Sequence, residues 1–421
     1  MVRDAILVVI LIGRYREKDL SIIDDIVLCF SDARRRNDAV KIVFITDSYI
    51  PTTDGVVTTV VTTKRELEKM GHHVTVIAPD PGKEFREPET IYFPATGFKR
   101  YKGYYIPIFR SNKIEIIKEL DPDIIHIYGV AFMAIKGLIA SRTLKIPAVA
   151  TYITSVGEVM SDYSPVKLPK EIMDKLVWTY MRSFLKRPKA VIVPTQPIAD
   201  ELNSHDTEFK RLERIHIGVD TERFVRNADD GNRIRERHGL TGKKVLICAG
   251  RLSAEKNIDL LIRSMRYVDG NVSLLIVGKG PMAEELKQLS GELALNERVI
   301  FTGFVPDDEI VAYYSAADVT VSCSRFETQG LTTLEAMACG LPAACANARA
   351  FRETIKDGKN GYKFEQSEEE CADAVMRCIR EAETLSPAAR ATAEEYSIRR
   401  TAEKLEGLYT EILQENTAGT K

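Results

Sequence analysis

Residues 317–340 read ADVTVSCSRFETQGLTTLEAMACG, and this stretch predicts a strand, a loop and a helix in succession. Val319 and Val321 lie in a short apolar run that is typical of a buried strand. The helix is expected to begin near Gly330 and to end before Gly340, since glycine commonly follows a helix C-terminus. A strand that leads through a short loop into a helix is the repeating unit of an α/β fold.

Two carboxylates flank the N-terminus of this predicted helix. Glu327 lies in the loop, and Glu335 lies just over one turn inside the helix, on the same side as Leu331. The unpaired N–H groups of a first helical turn bind anions, so one elongated ligand could place phosphates there and hydroxylated rings on the carboxylates. Taken alone, either glutamate is more simply explained as a solvated residue or one that stabilises the helix dipole.

The composition is that of an ordinary globular protein with two or three domains. Of 421 residues, 44% are hydrophobic and 29% are charged. Lysine and arginine number 59 against 61 aspartates and glutamates, which gives no basic field for nucleic acid. None of the 7 cysteines forms a CxxC pair, which fits a reducing cytosol without a disulfide framework or a zinc site.

The apolar run from Ala5 to Ile12 is too short to span a bilayer, and it lacks a small-residue cleavage site. No other stretch approaches the length of a transmembrane helix. We therefore expect a cytoplasmic protein. If it associates with the membrane, we expect it to bind peripherally at the inner face.

Short apolar runs alternate with helical patterns in two series, which predicts an α/β protein with two Rossmann-like parallel sheets. Ligands bind at the carboxyl ends of the strands in such sheets, so the expected site is the cleft between the two units. The predicted divisions are an N-terminal extension at 1–39, a first unit at 40–220, a linker at 221–244, a second unit at 245–396 and a C-terminal helix at 397–421. The last helix is expected to pack back toward the first unit.

Three loops of the second unit follow predicted strands. AGRLSAEKNID places Arg251 and Lys256 at a strand end, where two cations suit a diphosphate, although a solvated loop explains that segment alone equally well. IVGKGPMAEEL contributes Gly278 and Gly280 but lacks the third glycine of a dinucleotide fingerprint, so a dehydrogenase is disfavoured. FTGFVPDDEI adds a further glycine turn, which either recognises a base through its backbone or is only a turn.

The second unit resembles the nucleotide-sugar domain of the retaining glycosyltransferases of family 4, which have the two-domain GT-B fold. The family's E-x7-E motif corresponds to Glu327 and Glu335, and GRLSAEKNID is similar to its Gly-Arg…Lys-Asn donor loop. In the first unit, PTTDGVVTTV resembles the glycine loop that faces the phosphates, with Asp54 where many relatives have a second glycine. The resemblance runs from about Val40 to the C-terminal helix.

The resemblance implies roles for individual residues and a nucleoside-diphosphate sugar as partner. Arg251 and Lys256 would neutralise the donor diphosphate, and with Glu327, which would contact the transferred sugar, they form the predicted catalytic group. Glu335 would hold the ribose hydroxyls. The leaving diphosphate would help to deprotonate the acceptor on the same face, so that configuration is retained. No metal-binding DxD motif stands out, and no cofactor is expected because the two cations can replace a metal. Further positions that would line the donor site are Gly55, Gly250, Gly278, Gly280, Val305, Thr328, Gln329, Gly330 and Leu331.

One departure from the family lies at TYITS, where Ile153 replaces a common histidine. Isoleucine can neither accept a proton nor hydrogen-bond a sugar hydroxyl. Catalysis would then rely on the donor phosphate and Glu327, or the acceptor binds differently, or activity is reduced. We place the acceptor region at Ile153, Thr154 and His126, although a histidine in an apolar strand such as DIIHIYG is more often a core residue.

The acceptor class is suggested by ETQGLT, which is similar to the motif of diacylglycerol glycosyltransferases and other glycolipid-forming relatives. Two segments suit an anionic membrane surface. KRYKGYYIPIFR mixes basic and aromatic residues, and KEIMDKLVWTYMRSFLKRPK places apolar residues at helical spacing beside Trp178. A helix that simply faces a core explains the second segment better.

The favoured hypothesis is a retaining glycosyltransferase that uses a UDP-linked sugar and a membrane lipid acceptor. One alternative is transfer to a soluble sugar or polysaccharide, and another is a non-catalytic protein that binds nucleotide sugars, which Ile153 motivates. A non-hydrolysing sugar-nucleotide epimerase shares the fold but is expected to have further acidic and histidine groups in the cleft. This chain has only 6 histidines, none in a recognisable catalytic setting, so the epimerase ranks last.

Overall fold

The computed structural model describes residues 39–52, 54–82, 86–97, 105–108, 114–153 and 169–418. The predicted N-terminal extension as far as residue 38, most of the basic and aromatic segment, and Thr154 lie outside the described residues. The described residues form a seven-stranded and a six-stranded sheet, with every neighbouring pair of strands parallel. This confirms the predicted α/β fold with two parallel sheets.

The first sheet lies in the N-terminal half of the described chain. Its strands are β1 (Lys41–Thr46), β2 (His73–Pro79), β3 (Thr90–Phe93), β6 (Ile124–Tyr128), β7 (Ala148–Thr151), β8 (Ala190–Val193) and β9 (Leu212–Arg214), in the order β3-β2-β1-β6-β7-β8-β9. A separate antiparallel pair consists of β4 (Ala95–Gly97) and β5 (Tyr105–Pro107). The helices of this half are α1 (Gly55–Lys69), α2 (Ile114–Leu120), α3 (Phe132–Leu144), α4 (Lys170–Leu185) and α5 (Gln196–Ser204).

The second sheet follows a helix, α6 (Ala228–Arg237). Its strands are β10 (Lys244–Ala249), β11 (Val272–Val277), β12 (Val299–Gly303), β13 (Val319–Ser322), β14 (Ala343–Ala346) and β15 (Gly361–Phe364), in the order β12-β11-β10-β13-β14-β15. The remaining helices are α7 (Ile258–Ser264), α8 (Ala283–Glu292), α9 (Ile310–Ala316), α10 (Leu331–Ala338), α11 (Ala350–Thr354), α12 (Glu368–Arg380), α13 (Ala382–Glu395) and α14 (Ile398–Ala418), with a 3₁₀ turn at Ala254–Lys256.

Both sheets form because their strands are aliphatic runs that are buried on both faces. Every residue of β6 and of β11 is buried. Successive residues point to opposite faces, so Leu246 and Leu274 enter one core of the second sheet while Val245 and Leu275 enter the other. Because the strands within each of these two sheets run in the same direction, their carboxyl ends lie at one edge of the sheet, and the loops that leave these edges carry the candidate site.

The apolar stripe of α4, considered in the sequence as a membrane-binding face, lies in the core of the first unit. This confirms the alternative of a helix that faces a core, because a stripe at helical spacing buries most area by packing on a sheet. The buried residues of the stripe are Met173, Val177, Trp178, Met181 and Phe184. No helix within the described ranges combines the length and the hydropathy needed to cross a bilayer.

The segment 221–244, predicted as a linker, contains the packed helix α6. Ile234 is fully buried in a core of the second unit, and Gly231 lies so close to the next layer that a Cβ there would be 2.7 Å from the carbonyl oxygen of Ser315. Arg235 donates a 2.9 Å hydrogen bond to Asp318 beside β13. This helix could not be recognised in the sequence because few of its positions are apolar. The exact division between the units stays a prediction.

The chain passes between the two units twice, at residues 215–219 and at 396–398, and these two crossings lie side by side. The first follows β9, and its Val219 N–H donates to the carbonyl of Tyr396 at 2.9 Å, while the N–H of Ile398 donates back to Val219 at 2.8 Å. A Cβ on Gly218 would be 2.3 Å from the Cα of Ile398, so only glycine allows this approach. After the second crossing, α14 packs against α1, and Glu406 of α14 lies 3.1 Å from His72, which follows α1.

Candidate active site

The loop between β13 and α10 brings an open helix N-terminus to the edge of the second sheet. Gly330 precedes the helix with a φ of +82°, a region that favours glycine, and its neighbour Phe351 would be 2.7 Å from an added Cβ. Gly330 has no side chain to cap the first turn, so the N–H groups of Leu331 and Thr332 face the loop without a carboxylate from the capping position. The helix boundaries predicted from the sequence agree with this geometry.

Lys256 and Glu327 form an ion pair beside that helix N-terminus. The two side chains come from loops after β10 and β13, which are neighbouring strands, and the Lys256 Nζ lies 2.5 Å from the Glu327 Oε1. Burial lowers the pKa of Lys256, but the charge and hydrogen bond of Glu327 outweigh it and raise the pKa above its ordinary value. Lys256 therefore keeps its positive charge at neutral pH.

A pocket joins these groups to the remaining predicted cation. It is lined by Arg251, Lys256, Glu327 and Thr332, together with the backbone around Gly250. The two predicted phosphate-binding cations, the predicted sugar-binding carboxylate and the first turn of α10 thus surround one small space. In the described residues no three histidine, cysteine, aspartate or glutamate side chains come together in a way that could hold a metal. Whether a metal takes part stays a prediction.

Glu335 lies inside α10 and is hydrogen-bonded to a residue that the sequence did not single out. The hydroxyl of Tyr314, which is fully buried, donates to Glu335 Oε2 at 2.9 Å. Burial raises the pKa of Glu335 to about 7, opposed by the Tyr314 bond and by the charge of Arg223, while Asp307 raises it further. Val305 is half-buried against the same core, two residues before Asp307.

The glycines after β10 and β11 serve close packing of one loop on another. A Cβ on Gly278 would lie 1.9 Å from the carbonyl oxygen of Gly250, and one on Gly280 would lie 2.1 Å from that of Leu252. The N–H of Gly278 also donates to the carbonyl of Gly303 at 2.9 Å, which links a third loop. These residues shape the site through the backbone, and a direct donor contact from them stays a prediction.

Replacing Gly278 with alanine is expected to lower the free energy of unfolding by about 3 kcal/mol or more. The residue has a φ of +140°, and its Cβ would overlap the Gly250 backbone, which cannot move without displacing the loop that carries Arg251. Thermal unfolding of the purified variant measures the loss. Gly270→Ala is the matched control, since a Cβ there meets nothing within 4 Å. Equal stability of the two variants would contradict the packing role.

Gln329, predicted to contact the donor, has its side chain engaged elsewhere. It is 1% exposed, its Oε1 accepts the N–H of Ile217 at 2.6 Å, and its Nε2 donates to the Ile217 carbonyl. The side chain is therefore engaged within the fold, and a donor contact from the Gln329 backbone stays a prediction. The carbonyl of Thr328 next to it accepts from the hydroxyl of Thr195 in the first unit at 3.0 Å.

The predicted glycine loop of the first unit faces α10 across the cleft. A Cβ on Gly55 would lie 3.8 Å from Leu331 Cδ1, so the N-termini of α1 and α10 approach each other. Asp54 already caps α1, since its carboxylate accepts from the Val57 N–H and the Ser48 hydroxyl, each at 2.8 Å. The first unit therefore offers a carboxylate at this point, and the positive helix end that remains uncapped by a side chain is that of α10.

On the acceptor side, His126 does not lie in an open site. It is fully buried within β6, with Nδ1 at 2.5 Å from the Tyr409 hydroxyl of α14 and Nε2 at 2.6 Å from the Thr151 hydroxyl. Burial lowers the pKa of His126 to about 3, so it is neutral. Its place in the acceptor region is therefore wrong, because the strand interior buries it. Ile153 follows β7 and is buried, with 7% of its surface exposed.

Asp47 is a further group at the carboxyl edge of the first sheet that sequence reasoning missed. It follows β1, and its carboxylate accepts the N–H groups of Ala131 at 2.9 Å and Met133 at 2.7 Å, which caps α3 from outside the helix. Burial raises the pKa of Asp47 to about 6, and these backbone bonds oppose the rise. A Cβ on Gly129 would be 2.9 Å from Asp47 Oδ2. The available signal was an aspartate directly after a buried strand.

A larger groove of about 660 Å³ lies at the opposite edge of the first sheet, at the amino ends of β2 and β3. Glu68, His73 and Glu89 line it, and Lys64 forms a 2.5 Å ion pair with Glu68. Ligands of open parallel sheets bind at the carboxyl ends of strands. The smaller pocket at Lys256, where cations and an open helix N-terminus converge, is therefore the better candidate.

Comparison with known protein families covers both units. A model described as Glycosyltransferase Family 4 matches residues 53–223. A model described as Glycosyl transferases group 1 matches residues 230–395, which include the pocket at Lys256.

Curated relatives match over most of their length. The alpha-monoglucosyldiacylglycerol synthase of Streptococcus pneumoniae is 30% identical over 349 residues, covering 80% of this chain and 78% of the relative. The enzyme of the same name from Acholeplasma laidlawii is 29% identical and covers 89% and 98%. A GDP-mannose-dependent alpha-mannosyltransferase of Mycolicibacterium smegmatis is 26% identical and covers 83% and 92%.

Solved structures share the architecture. Anabaena HepE in complex with UDP and glucose superposes with a TM-score of 0.72 at 20% identity, over 88% of this chain and 99% of that one. Sucrose-phosphate synthase of Thermosynechococcus elongatus gives a TM-score of 0.72 at 20% identity, over 89% and 100%. At this identity the likeness shows the fold alone. With two parallel sheets, both family models and a relative at 30% identity, the chain belongs to the family 4 glycosyltransferases and has the GT-B fold.

Proposed function

We propose that this glycosyltransferase transfers a sugar, with retention of configuration, from a UDP-linked donor to a hydroxyl of a membrane lipid. The observation that carries the proposal is the pocket in which Arg251, Lys256 and Glu327 meet the N-terminus of α10. A nucleotide sugar has a diphosphate between two hydroxylated rings. The pocket offers two cations, Arg251 and Lys256, and one carboxylate, Glu327. The second carboxylate, Glu335, lies further along α10.

The diphosphate would bind Arg251, Lys256 and the first N–H groups of α10. A helix N-terminus carries about half a positive charge and free donors, and Gly330 leaves it uncapped by a side chain. In the first unit Asp54 caps the facing helix, so its end contributes little to anion binding. The second unit would therefore make most of the contacts with the diphosphate. No metal is needed in this proposal, because the cations and helix end stabilise the departing diphosphate.

Glu327 and Glu335 would hold the two rings. Glu327 lies in the pocket itself and would contact the transferred sugar. Glu335 lies one turn further into α10 and would accept the two ribose hydroxyls, with the Tyr314 hydroxyl fixing one of its oxygens. Two carboxylates separated by a helix N-terminus match the order sugar, diphosphate, ribose.

The chemistry proposed is direct displacement on one face of the sugar. The bond from the anomeric carbon to the diphosphate oxygen breaks, and the acceptor oxygen forms its bond on the same side while its proton passes to the leaving phosphate. One observation supports this use of the phosphate as base: His126 is buried in the sheet. The resemblance to the family adds that Ile153 stands where many relatives have a histidine. Stabilising the charge that develops on the diphosphate is then the main contribution of the protein.

A lipid acceptor is supported by the relatives named monoglucosyldiacylglycerol synthases and by exposed apolar side chains on the first unit. On α4 the buried stripe faces the core, but Ile172 and Leu176 on the other face are 50% and 56% exposed with Lys175 between them. Apolar residues beside cations suit peripheral binding to an anionic membrane surface. Further exposed apolar residues of this unit are Ile108, Phe132 and Ile139.

The test is to incubate the purified protein with a panel of UDP- and GDP-sugars and a membrane lipid extract, and to measure sugar in the organic phase by mass spectrometry. We expect the sugar of one UDP-sugar to be found attached to lipid. Transfer from a GDP-sugar would show that the donor is GDP-linked. A product found only in the aqueous phase would show that the acceptor is a soluble sugar. Nucleotide binding without any product would indicate a non-catalytic protein.

Donor binding is expected to weaken as the pH falls below 7, because Glu335, with a pKa of about 7, then gains a proton. An ionised carboxylate accepts two ribose hydroxyls strongly, whereas the neutral acid does not. If one ionisation controls binding, the Kd of a UDP-sugar rises about 10-fold between pH 8 and pH 6. Calorimetry with an intact UDP-sugar measures this, since its diphosphate does not titrate in that range. Glu335→Gln should bind weakly at both pH values, and a wild-type Kd that stays constant argues against this role of Glu335.

A further inference from the structure

A buried amide ties the donor loop to the chain crossing between the units. Gln329 is 1% exposed, and both polar atoms of its side chain are hydrogen-bonded to the backbone of a single residue, Ile217. The two residues are 112 positions apart. A buried primary amide needs such partners, and removing them leaves polar groups unsatisfied at a cost of about 1–3 kcal/mol each. The pairing therefore fixes the loop relative to the crossing.

The residues on either side of Ile217 contact the returning chain. The carbonyl of His216 accepts from the Thr401 hydroxyl of α14 at 2.9 Å, and Gly218 lies against the Cα of Ile398. Val219 then forms two backbone bonds with the returning chain. These contacts fix the position of Ile217 relative to both crossings.

A second bond holds the same loop from the first unit. The Thr195 hydroxyl, at the carboxyl end of β8, donates to the Thr328 carbonyl at 3.0 Å. Thr328 and Gln329 are the two residues between Glu327 and Gly330. The segment that presents the pocket carboxylate and starts α10 is thus held by groups that belong to the crossing and to the first unit.

We propose that Gln329, assisted by Thr195, is a positioning residue that couples the donor loop to the relative placement of the two units. Separation of the units breaks the bonds to Ile217 and Thr195, so the loop keeps its present form only while the units stay in this arrangement. Transfer, which needs both units, depends on the coupling. Nucleotide binding depends on it less, because Arg251 and Lys256 come from the loop after β10, which Gln329 does not hold. The proposal rests on the proposed function only for the choice of UDP as the ligand in its test.

The experiment compares the wild-type chain with Gln329→Met and Thr195→Val. Gln329→Met keeps length and removes both hydrogen bonds, whereas Thr195→Val removes one bond without touching the second unit. We expect the Kd of UDP, measured by calorimetry at pH 8, to stay within about threefold while kcat falls about 10-fold or more, as for misplacement of a catalytic group. Gln288→Met is the matched control, because Gln288 is an exposed glutamine on α8 that bonds Glu292.

A Kd that rises as much as kcat falls would overturn the coupling, since Gln329 would then only shape the nucleotide site. An unchanged kcat would overturn it as well. Hydrogen exchange without nucleotide gives an independent readout: Gln329→Met should speed exchange of both the donor loop at 326–331 and the crossing at 215–219. Unchanged exchange at the crossing contradicts the proposal. Failure of the wild type to bind UDP or GDP is a separate result, which would reject the proposed function and leave the exchange measurement decisive for the coupling.

Discussion

Replacing Lys256 with methionine is expected to lower kcat/KM for sugar transfer by roughly 100- to 1,000-fold, the loss typical when one preorganised charge-stabilising group is removed. The Lys256 Nζ lies in the pocket, 2.5 Å from the Glu327 carboxylate, and that partner raises its pKa. The ammonium is therefore charged throughout the neutral range. A half-buried charge beside a leaving diphosphate is screened less than one in water, so its interaction with the diphosphate is stronger there.

The measurement is the transfer rate with the donor that the lipid-extract assay identifies, with thermal unfolding to check the fold. Lys287→Met is the matched control: Lys287 also pairs with a glutamate, Glu284, at 2.9 Å, but on the exposed face of α8. If Lys256→Met loses less than about 10-fold, which is well below the usual effect of such a group, then Lys256 does not stabilise the diphosphate. Lys256→Arg keeps the charge and is expected to recover part of the rate.

The fold could be predicted because parallel strands buried on both faces are continuous apolar runs in the sequence. The apolar runs of β6 and β11 are of this kind, and both are buried throughout. The helix α6 was not predicted, because its buried side is formed by isolated residues such as Ile234 and Gly231 among charged ones. Hydrophobic periodicity detects a helix only when its apolar face has several residues. The face of α6 that packs on α9 has too few apolar residues to be detected.

The pocket could be predicted in part for a similar reason. Arg251, Lys256 and Glu327 follow strands of one sheet, and carboxyl ends of parallel strands meet at one edge. The partner of Gln329 could not be predicted, because Ile217 is 112 residues away and offers only its backbone. No local pattern distinguishes a glutamine that contacts a ligand from one that bonds a distant peptide group.

The same limit applies to Tyr314 and Asp47. Tyr314 lies in an apolar helix, and its bond to Glu335 depends on the packing of α9 beside α10. Asp47 caps α3 from the end of β1, 84 residues before Ala131 in the chain. The sequence places Tyr314 in a helix and Asp47 directly after a strand, but the partner of each is set by how the elements pack. For His126 the strand pattern correctly favoured a core residue.

Replacing Glu327 with glutamine is expected to lower the rate of transfer roughly 100-fold, while the Kd for the free nucleotide changes less than about threefold. The substitution keeps size and shape but removes the negative charge in the pocket. A nucleotide without sugar does not reach that carboxylate in the proposed arrangement. Rate and Kd are measured on the same preparation, and Glu284→Gln on the exposed face of α8 is the control. Unchanged transfer in Glu327→Gln would exclude the proposed contact with the sugar.

The double variant Lys256→Met with Glu327→Gln tests whether the two residues act as one unit. Their side chains are in direct contact at 2.5 Å, so each single substitution also leaves the other group without its partner. The combined loss of rate is therefore expected to be smaller than the product of the single losses, as for residues that act together in one step. The exposed pair Lys287 and Glu284, changed in the same way, should show no such coupling. A multiplicative loss at the pocket would mean that the ion pair separates when the donor binds, with each residue acting on a different part of the donor.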